Sequence, residues 1–290
     1  MKIKIFFKLI RIKHYVKNCF IFMPLFFSGE INNANLLLNA FLAFLAFSSA
    51  ASAVYIFNDI NDIKQDLAHP RKRFRPIASA EIGKKTALLV MMGFTIFSFT
   101  ISSQIAFEAI LVIIFYLMIN VAYSFYLKHI VILDINVIAC GFVLRILLGS
   151  LVTQTDLSMW IIVLTYLLAL FLALAKRRDD VLIFLKSGKK MRKAIDGYSI
   201  NFIDRALLII ATTIVITYIS FTVSNDVQLR IKSEYLYLTV LFVLFGLLRY
   251  LQITFIDENT ASPVSIILKD RFLQIMIFLW LSSFSYLLYF

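Results

Sequence analysis

What most constrains this chain is a succession of long apolar runs, one after another, each roughly the 20 residues a helix needs to cross about 30 Å of hydrocarbon. They occupy residues 15–31, 34–57, 86–103, 107–125, 131–152, 158–175, 206–223, 235–254 and 272–289. The alternation of a membrane strand is absent, so the runs predict helices and not a barrel. A segment surrounded by lipid must satisfy its own backbone polar groups, which a helix does internally. Of the 290 residues, 61% are hydrophobic, where a soluble domain is nearer half. The expectation is an all-α polytopic membrane protein with nine transmembrane helices. The first is the most disturbed, with Asn18 and Pro24 inside it. No internal repeat or separate soluble domain is visible, so residues 1–290 read as a single membrane domain with charged loops at about 58–85 and 176–205.

The cations support the same layout. Cytoplasmic loops of membrane proteins collect Lys and Arg. With the N-terminus placed inside, 26 of the 29 Lys and Arg fall on the cytoplasmic side. Arg230 and Lys232 fall opposite, and Arg145 lies within a span. The net charge of +12 is thereby explained without a nucleic acid partner. Lys4, Lys8 and Arg11 share one helical face, which predicts an N-terminal arm resting on anionic lipid. Cys19 and Cys140 sit in apolar spans without metal-ligand spacing and read as small hydrophobes. His14, His69 and His129 stand beside Lys or Arg and read as interfacial, as does the aromatic Tyr126.

Residues 58–79, NDINDIKQDLAHPRKRFRPIAS, break the oily pattern. On a continuing helix, Asn58, Asp62, Asp66 and Asp59 fall at roughly 0°, 40°, 80° and 100° around the axis. Three carboxylates on one narrow face repel one another unless a cation stands among them. Oxygen donors of this kind suit Mg²⁺, which binds a few carboxylates together with substrate phosphates. The alternative is a solvated helix end whose Asp residues pair with Lys64 or Arg71. Pro70 is expected to end the helix and Pro76 to stiffen the loop. Between them Arg71, Lys72, Arg73 and Arg75 offer phosphate-pairing groups. Carboxylates for a metal beside cations for phosphate are the pattern a diphosphate site requires. Arg145 is the sharpest single residue, because a cation within a span must face the bundle interior. Asp134, Ile138, Gly141 and Arg145 share a face, and two readings stay open: a structural ion pair or snorkelling arginine, or an arginine lining the cavity and contacting a substrate phosphate.

The run NDxxDxxxD followed by HPxKRxRP resembles the first aspartate-rich motif of the UbiA-type intramembrane prenyltransferase superfamily. That family usually carries a second motif, DxxxD, after helix six. Here the corresponding stretch is ALAKRRDDVLIF, where Asp179 and Asp180 are adjacent and project about 100° apart. This departure resembles the decaprenyl-phosphate phosphoribosyltransferase branch, as do HYVKNCFIFMPLFFSG, YSFYLKHIVILDINVIACGFVLRILLG, RYLQI and LKDRFL. The resemblance implies a UbiA-like bundle in a bacterial-type inner membrane with its active site facing the cytoplasm. It implies transfer of 5-phosphoribosyl from phosphoribosyl pyrophosphate to a polyprenyl phosphate with Mg²⁺. Asp59, Asp62 and Asp66 are the expected metal ligands, with Asp62, Asp66 and Arg145 carrying the chemistry. Lys17, Asn18, Asn58, Lys72, Arg73, Arg75, Tyr123, Lys128, Lys176, Arg177, Asp180 and Tyr198 are the expected substrate-binding residues. Two alternatives differ in kind: a prenyl diphosphate donor with an aromatic acceptor, and a non-catalytic transporter of an anionic substrate.

Overall fold

The computed structural model describes residues 3–68, 72–188, 193–256 and 263–290. The helix stop expected at Pro70, the phosphate-pairing role of Arg71 and the interfacial reading of His69 lie outside the described residues, as do Lys189, Lys190 and Arg192 of the second basic stretch. Among the described residues all regular structure is helical. In chain order the α-helices are α1 (Ile3–Leu9), α2 (Met23–Phe27), α3 (Ala34–Asn61), α4 (Ile63–Ala68), α5 (Lys84–Ile105), α6 (Phe107–Phe125), α7 (Leu133–Thr153), α8 (Met159–Ser187), α9 (Ile200–Thr222), α10 (Asn225–Ile231), α11 (Val240–Phe255), α12 (Pro263–Lys269) and α13 (Arg271–Tyr289).

Eight helices among the described residues are long and apolar enough to cross a membrane, and they coincide with eight of the expected runs. The first expected span is built differently. Arg11 turns the chain in the left-handed region (φ 53°), and a 3-10 helix follows over Ile12–Phe22. Pro24 then opens the five-residue α2. The physical reason is local: proline suits the first turn of a helix but not its interior, so two short elements replace one long one. The acidic stretch departs from expectation as well. Instead of one continuous helix, α3 closes at Asn61 and α4 restarts at Ile63, with Asp62 between them.

The chain divides into two compact units, one of Met1–Ile130 with Cys140–Leu157, the other of Val131–Ala139 with Ser158–Phe290. In the first unit α3 is the central element: 67% of its spanning window is buried, against 17% in α5. Its buried face is made of small residues, among them Ala40, Ala43, Ala46, Ala50 and Ala53. Small side chains let helix backbones approach, which is how membrane helices gain packing when lipid removes the hydrophobic incentive. The approach is close enough for the Ser98 hydroxyl of α5 to donate to the Ala46 carbonyl at 2.8 Å. Gly149 does the same for the 3-10 segment, since a Cβ there would fall 2.0 Å from the Ile21 carbonyl oxygen. Phe47, Ile113, Leu144 and Leu148 fill this core.

The second unit packs α8 against α9 and α11 against α13. Phe171, Leu174, Ile203, Leu207 and Ile253 form its centre. Here too the structure extends an expectation. The basic stretch beginning at Lys176 does not start a loop; α8 continues to Ser187 and carries Lys176–Asp180 in helical register.

Candidate active site at the end of helix α3

In the first unit the acidic residues are gathered but not equivalent. Asp59 and Asp66 are each 2% exposed. Both accept from the same nitrogen, Nη1 of Arg75, at 3.0 Å and 2.7 Å. Asp59 also accepts from Nη2 of Arg11. Asp62 stands apart and accepts from Nζ of Lys128 at 2.8 Å. Asn58 accepts from the Ser124 hydroxyl of α6. Two carboxylates therefore meet on one cationic nitrogen at the end of a spanning helix. Buried carboxylates of like charge demand such compensation.

Among the described residues, no three or more His, Cys, Asp or Glu side chains form a ready-made metal site. The carboxylates brought together are Asp59 and Asp66; Asp62, expected with them, is drawn off by Lys128 because the helix breaks at its position. The donor set nevertheless fits a hard divalent ion: carboxylate oxygens, converging, already arranged around positive charge. The cationic loop supplies its part unevenly. Arg75 reaches the carboxylates, Arg73 is exposed with its guanidinium 5.4 Å from the Phe74 ring centre, and Lys72 is half-buried in a short 3-10 turn over Lys72–Phe74. Lys17 and Tyr123 are half-buried.

Sequence reasoning missed Arg11. On an idealised helix it shared a face with Lys4 and Lys8 and was assigned to lipid. The left-handed turn at Arg11 redirects it to Asp59, where its guanidinium also lies 4.7 Å from the Tyr55 ring centre. Lys8 likewise donates to the Phe74 carbonyl, so two cations of the expected lipid face engage protein.

Arg145 is 5% exposed. Its Nε donates to Asn18 Oδ1 at 2.7 Å, and its Nη1 donates to the Gly141 carbonyl one turn earlier. Asn18 in turn donates to the Ser48 hydroxyl at 2.8 Å. The two residues that the motif VKN and the helix-five arginine singled out are thus bonded to each other.

In the second unit, Arg177, Asp180 and Tyr198 are brought together around a carboxylate the sequence did not single out as their partner. Asp134 is fully buried. It accepts from Nε of Arg177 and, at 2.7 Å, from the hydroxyl of Tyr198. That hydroxyl also accepts from the Ile132 backbone N–H at 2.9 Å. Burial, reinforced by the bond to Asp134, raises the Tyr198 pKa above its ordinary value. Arg177 spans to Asp180 at 2.7 Å, one helical turn on. Beside it, Arg178 pairs with Asp204 and donates to the Thr254 carbonyl, both at 2.7 Å. Lys176 is exposed. An acidic residue inside an apolar run announces that it needs a partner, but nothing in the sequence says that the partner of Asp134 is 43 residues away.

An all-helical polytopic chain with carboxylates and guanidinium groups gathered where a spanning helix ends is the arrangement of an intramembrane transferase. The UbiA prenyltransferase family profile matches residues 19–288, and the chain belongs to that family. It is accordingly an enzyme of the transferase class, and the transporter reading falls. Among its relatives is the decaprenyl-phosphate phosphoribosyltransferase of Mycolicibacterium smegmatis, 30% identical over 294 residues, which cover 98% of this chain and 92% of the relative. The enzyme of that name from Mycobacterium tuberculosis is 28% identical over 281 residues, 95% of this chain and 91% of the relative. In fold the chain is similar to a UbiA homolog from Archaeoglobus fulgidus bound to GPP and Mg²⁺. The TM-score is 0.71 at 17% identity, covering 98% of this chain and 99% of the other.

Proposed function

We propose that this enzyme transfers 5-phosphoribosyl from phosphoribosyl pyrophosphate to a polyprenyl phosphate, releasing pyrophosphate, at the cytoplasmic face of a bacterial-type inner membrane. The observation that carries the reading is the convergence of Asp59 and Asp66 on Arg75 at the end of α3. The names of the relatives, near full length in both chains, support the choice of donor and acceptor. The distribution of cations supports a cytoplasmic N-terminus and site. The 3-10 segment Ile12–Phe22 supports a ninth crossing, because it rises about 2.0 Å per residue and needs fewer residues than an α-helix for a given thickness. Both units then belong to one membrane domain.

Asp59 and Asp66, with Asp62 released from Lys128, would hold Mg²⁺. When bound, the ion supplies electrostatic stabilisation to a departing diphosphate. The protein's own groups do the rest. Arg75, Arg73, Lys72 and Lys128 bind phosphate oxygens at the mouth. Lys17, Asn58 and Tyr123 orient the donor; in the second unit Arg177, Asp180 and Tyr198, joined through Asp134, fix the end of α8 that carries Lys176. The anomeric carbon becomes electron-poor as its diphosphate leaves. The acceptor phosphate oxygen is already anionic, so positioning suffices and no strong base is required. A prenyl diphosphate donor with an aromatic acceptor is the second reading, favoured by the fold neighbour's bound GPP. Against it, Asp179 and Asp180 are neighbours on α8, and Asp180 is taken by Arg177.

The test uses purified protein, Mg²⁺, labelled phosphoribosyl pyrophosphate and polyprenyl phosphate, followed by extraction into organic solvent. Label in the lipid phase is the expected result. Transfer only from a prenyl diphosphate to an aromatic ring would establish the second reading instead.

A further inference from the structure

We propose that the outward face at the start of α9 seats one anionic phospholipid of the surrounding bilayer, with its phosphate on Arg205 and an acyl chain along Phe202 and Ile209. The seat lies within the second unit and does not depend on the transfer reaction. α9 is one of the helices long and apolar enough to cross a membrane. Ile203, Leu207, Ala211 and Ile214 are buried in the core of the unit. Phe202, Arg205, Ala206 and Ile209 follow at three- and four-residue spacing and share another face, roughly 140° round the axis from the first. With Ser199 and Asn201 they line a groove of about 400 Å³. Arg205, Phe202 and Ile209 are exposed in it.

The charge in this groove is of one sign. Arg205 cannot shed its proton, and among the described residues it makes no ion pair. Arg178 and Arg249 of the same unit are held by Asp204 and Asp270, both at 2.7 Å. Asp204, next to Arg205 in the chain, is therefore already spent on Arg178. Among the described residues no carboxylate lines the groove. A cation on the outward face of a spanning helix needs an anion or a route to the headgroups.

A bilayer supplies that anion at this depth. Arg205 lies five residues, about 7.5 Å, beyond Ile200, and Ile209 about 6 Å further along the axis. Phosphate above and hydrocarbon below match that order. A guanidinium gives a phosphate two parallel hydrogen bonds. The Ser199 hydroxyl accepts from the Phe202 backbone N–H at 3.1 Å, which leaves its own proton to donate. The Asn201 amide both donates and accepts. These two suit the hydroxyl groups of a glycerol headgroup. A choline headgroup would bring a second cation to a groove with no carboxylate to meet it. The chemistry selects a phosphatidylglycerol-type lipid.

The experiment titrates full-length protein in neutral detergent with phosphatidylglycerol, phosphatidylcholine and polyprenyl phosphate, and reads the first bound lipid by native mass spectrometry. Wild type should hold phosphatidylglycerol about fivefold more tightly than phosphatidylcholine, as one well-placed cation allows. Arg205→Gln should erase that difference. Arg205→Lys, which keeps the charge and loses the paired hydrogen bonds, should fall between them, and it carries the test should Arg205→Gln not fold. Lys84→Gln, at the start of α5, is the control for general attraction to exposed cations and should stay within twofold of wild type. Ile209→Asn should weaken both phospholipids alike. The seat is overturned if Arg205→Gln binds phosphatidylglycerol within twofold of wild type, or if Lys84→Gln costs as much as Arg205→Gln. It is overturned equally if polyprenyl phosphate, and not phosphatidylglycerol, is the lipid whose binding Arg205→Gln weakens, since the groove would then belong to a substrate.

Discussion

Two charged regions of this molecule use the same residue types to opposite ends. Around Asp134 in the second unit, the charges are closed in: Arg177 and Asp134 have side chains 2% and 0% exposed, and Tyr198 completes the carboxylate's partners. Around Asp59 in the first unit, the carboxylates are buried but their partners are not, with Arg75 25% and Arg11 19% exposed at the side chain. Asp62 itself is 24% exposed. A buried pair whose members are both sealed serves architecture, because breaking it strands a charge in a poor solvent. A buried carboxylate whose cation can swing toward water is available for exchange. On the function proposed above, the first cluster is the one placed to work and the second the one built to hold.

Asp62→Asn sets the upper end of the expected effects. It keeps shape and removes the charge of the least engaged carboxylate, so turnover should fall by about a thousandfold or more, as when a principal electrostatic contributor is removed. Circular dichroism and the melting temperature should stay near wild type. Retained activity would show that the cluster at α3 is as architectural as the one at Asp134. Chelation belongs beside it: excess EDTA should abolish transfer and added Mg²⁺ restore it, with little change in helicity.

Asp134→Ala should do the reverse. It removes the fully buried one of the two carboxylates that Arg177 holds and takes the acceptor from the Tyr198 hydroxyl, a loss of about 3 kcal/mol, the lower end for a broken buried pair because Asp180 remains. The expected readout is poor accumulation in membranes and a lower melting temperature, with activity falling in proportion to folded protein. A stable, inactive Asp134→Ala protein would move Asp134 into the chemistry. Tyr198→Phe is the milder form. It deletes one hydroxyl from the network and should cost about 1 kcal/mol, read as a small drop in melting temperature with KM values unchanged.

How much of this was legible beforehand follows the range of the interactions. Eight spans could be placed because hydrophobic run length is a local property. The segment at 12–27 could not, because an 11-residue 3-10 helix has no strong local signature and survives only where Gly149 lets Ile21 approach. Asp59, Asp66 and Arg75 were visible as types in a short stretch. That Asp62 would leave them for Lys128, 66 residues on, was not. Arg145 and Asn18 were each singled out alone; their hydrogen bond joins residues 127 apart, beyond any periodicity argument. The error at Arg11 came from extending a helix through a residue that the chain turns in the left-handed region, a conformation rare outside glycine.

Arg11 also offers the smallest and most pointed test of the comparison. If the cations at Asp59 are exchangeable, Arg11 competes with Mg²⁺ for that carboxylate, since an opposite charge nearby favours one partner at the expense of another. Arg11→Gln keeps a donor of similar length and removes the charge. The Mg²⁺ concentration giving half-maximal transfer should then fall by a few-fold, in keeping with a partly exposed pair worth about 1 kcal/mol or less. The shift should shrink as ionic strength rises, because salt screens exposed charges more than buried ones. A higher Mg²⁺ requirement would mean that Arg11 helps to seat the metal-bound substrate. No shift at any salt concentration would make its bond to Asp59 as architectural as that of Arg177 to Asp134.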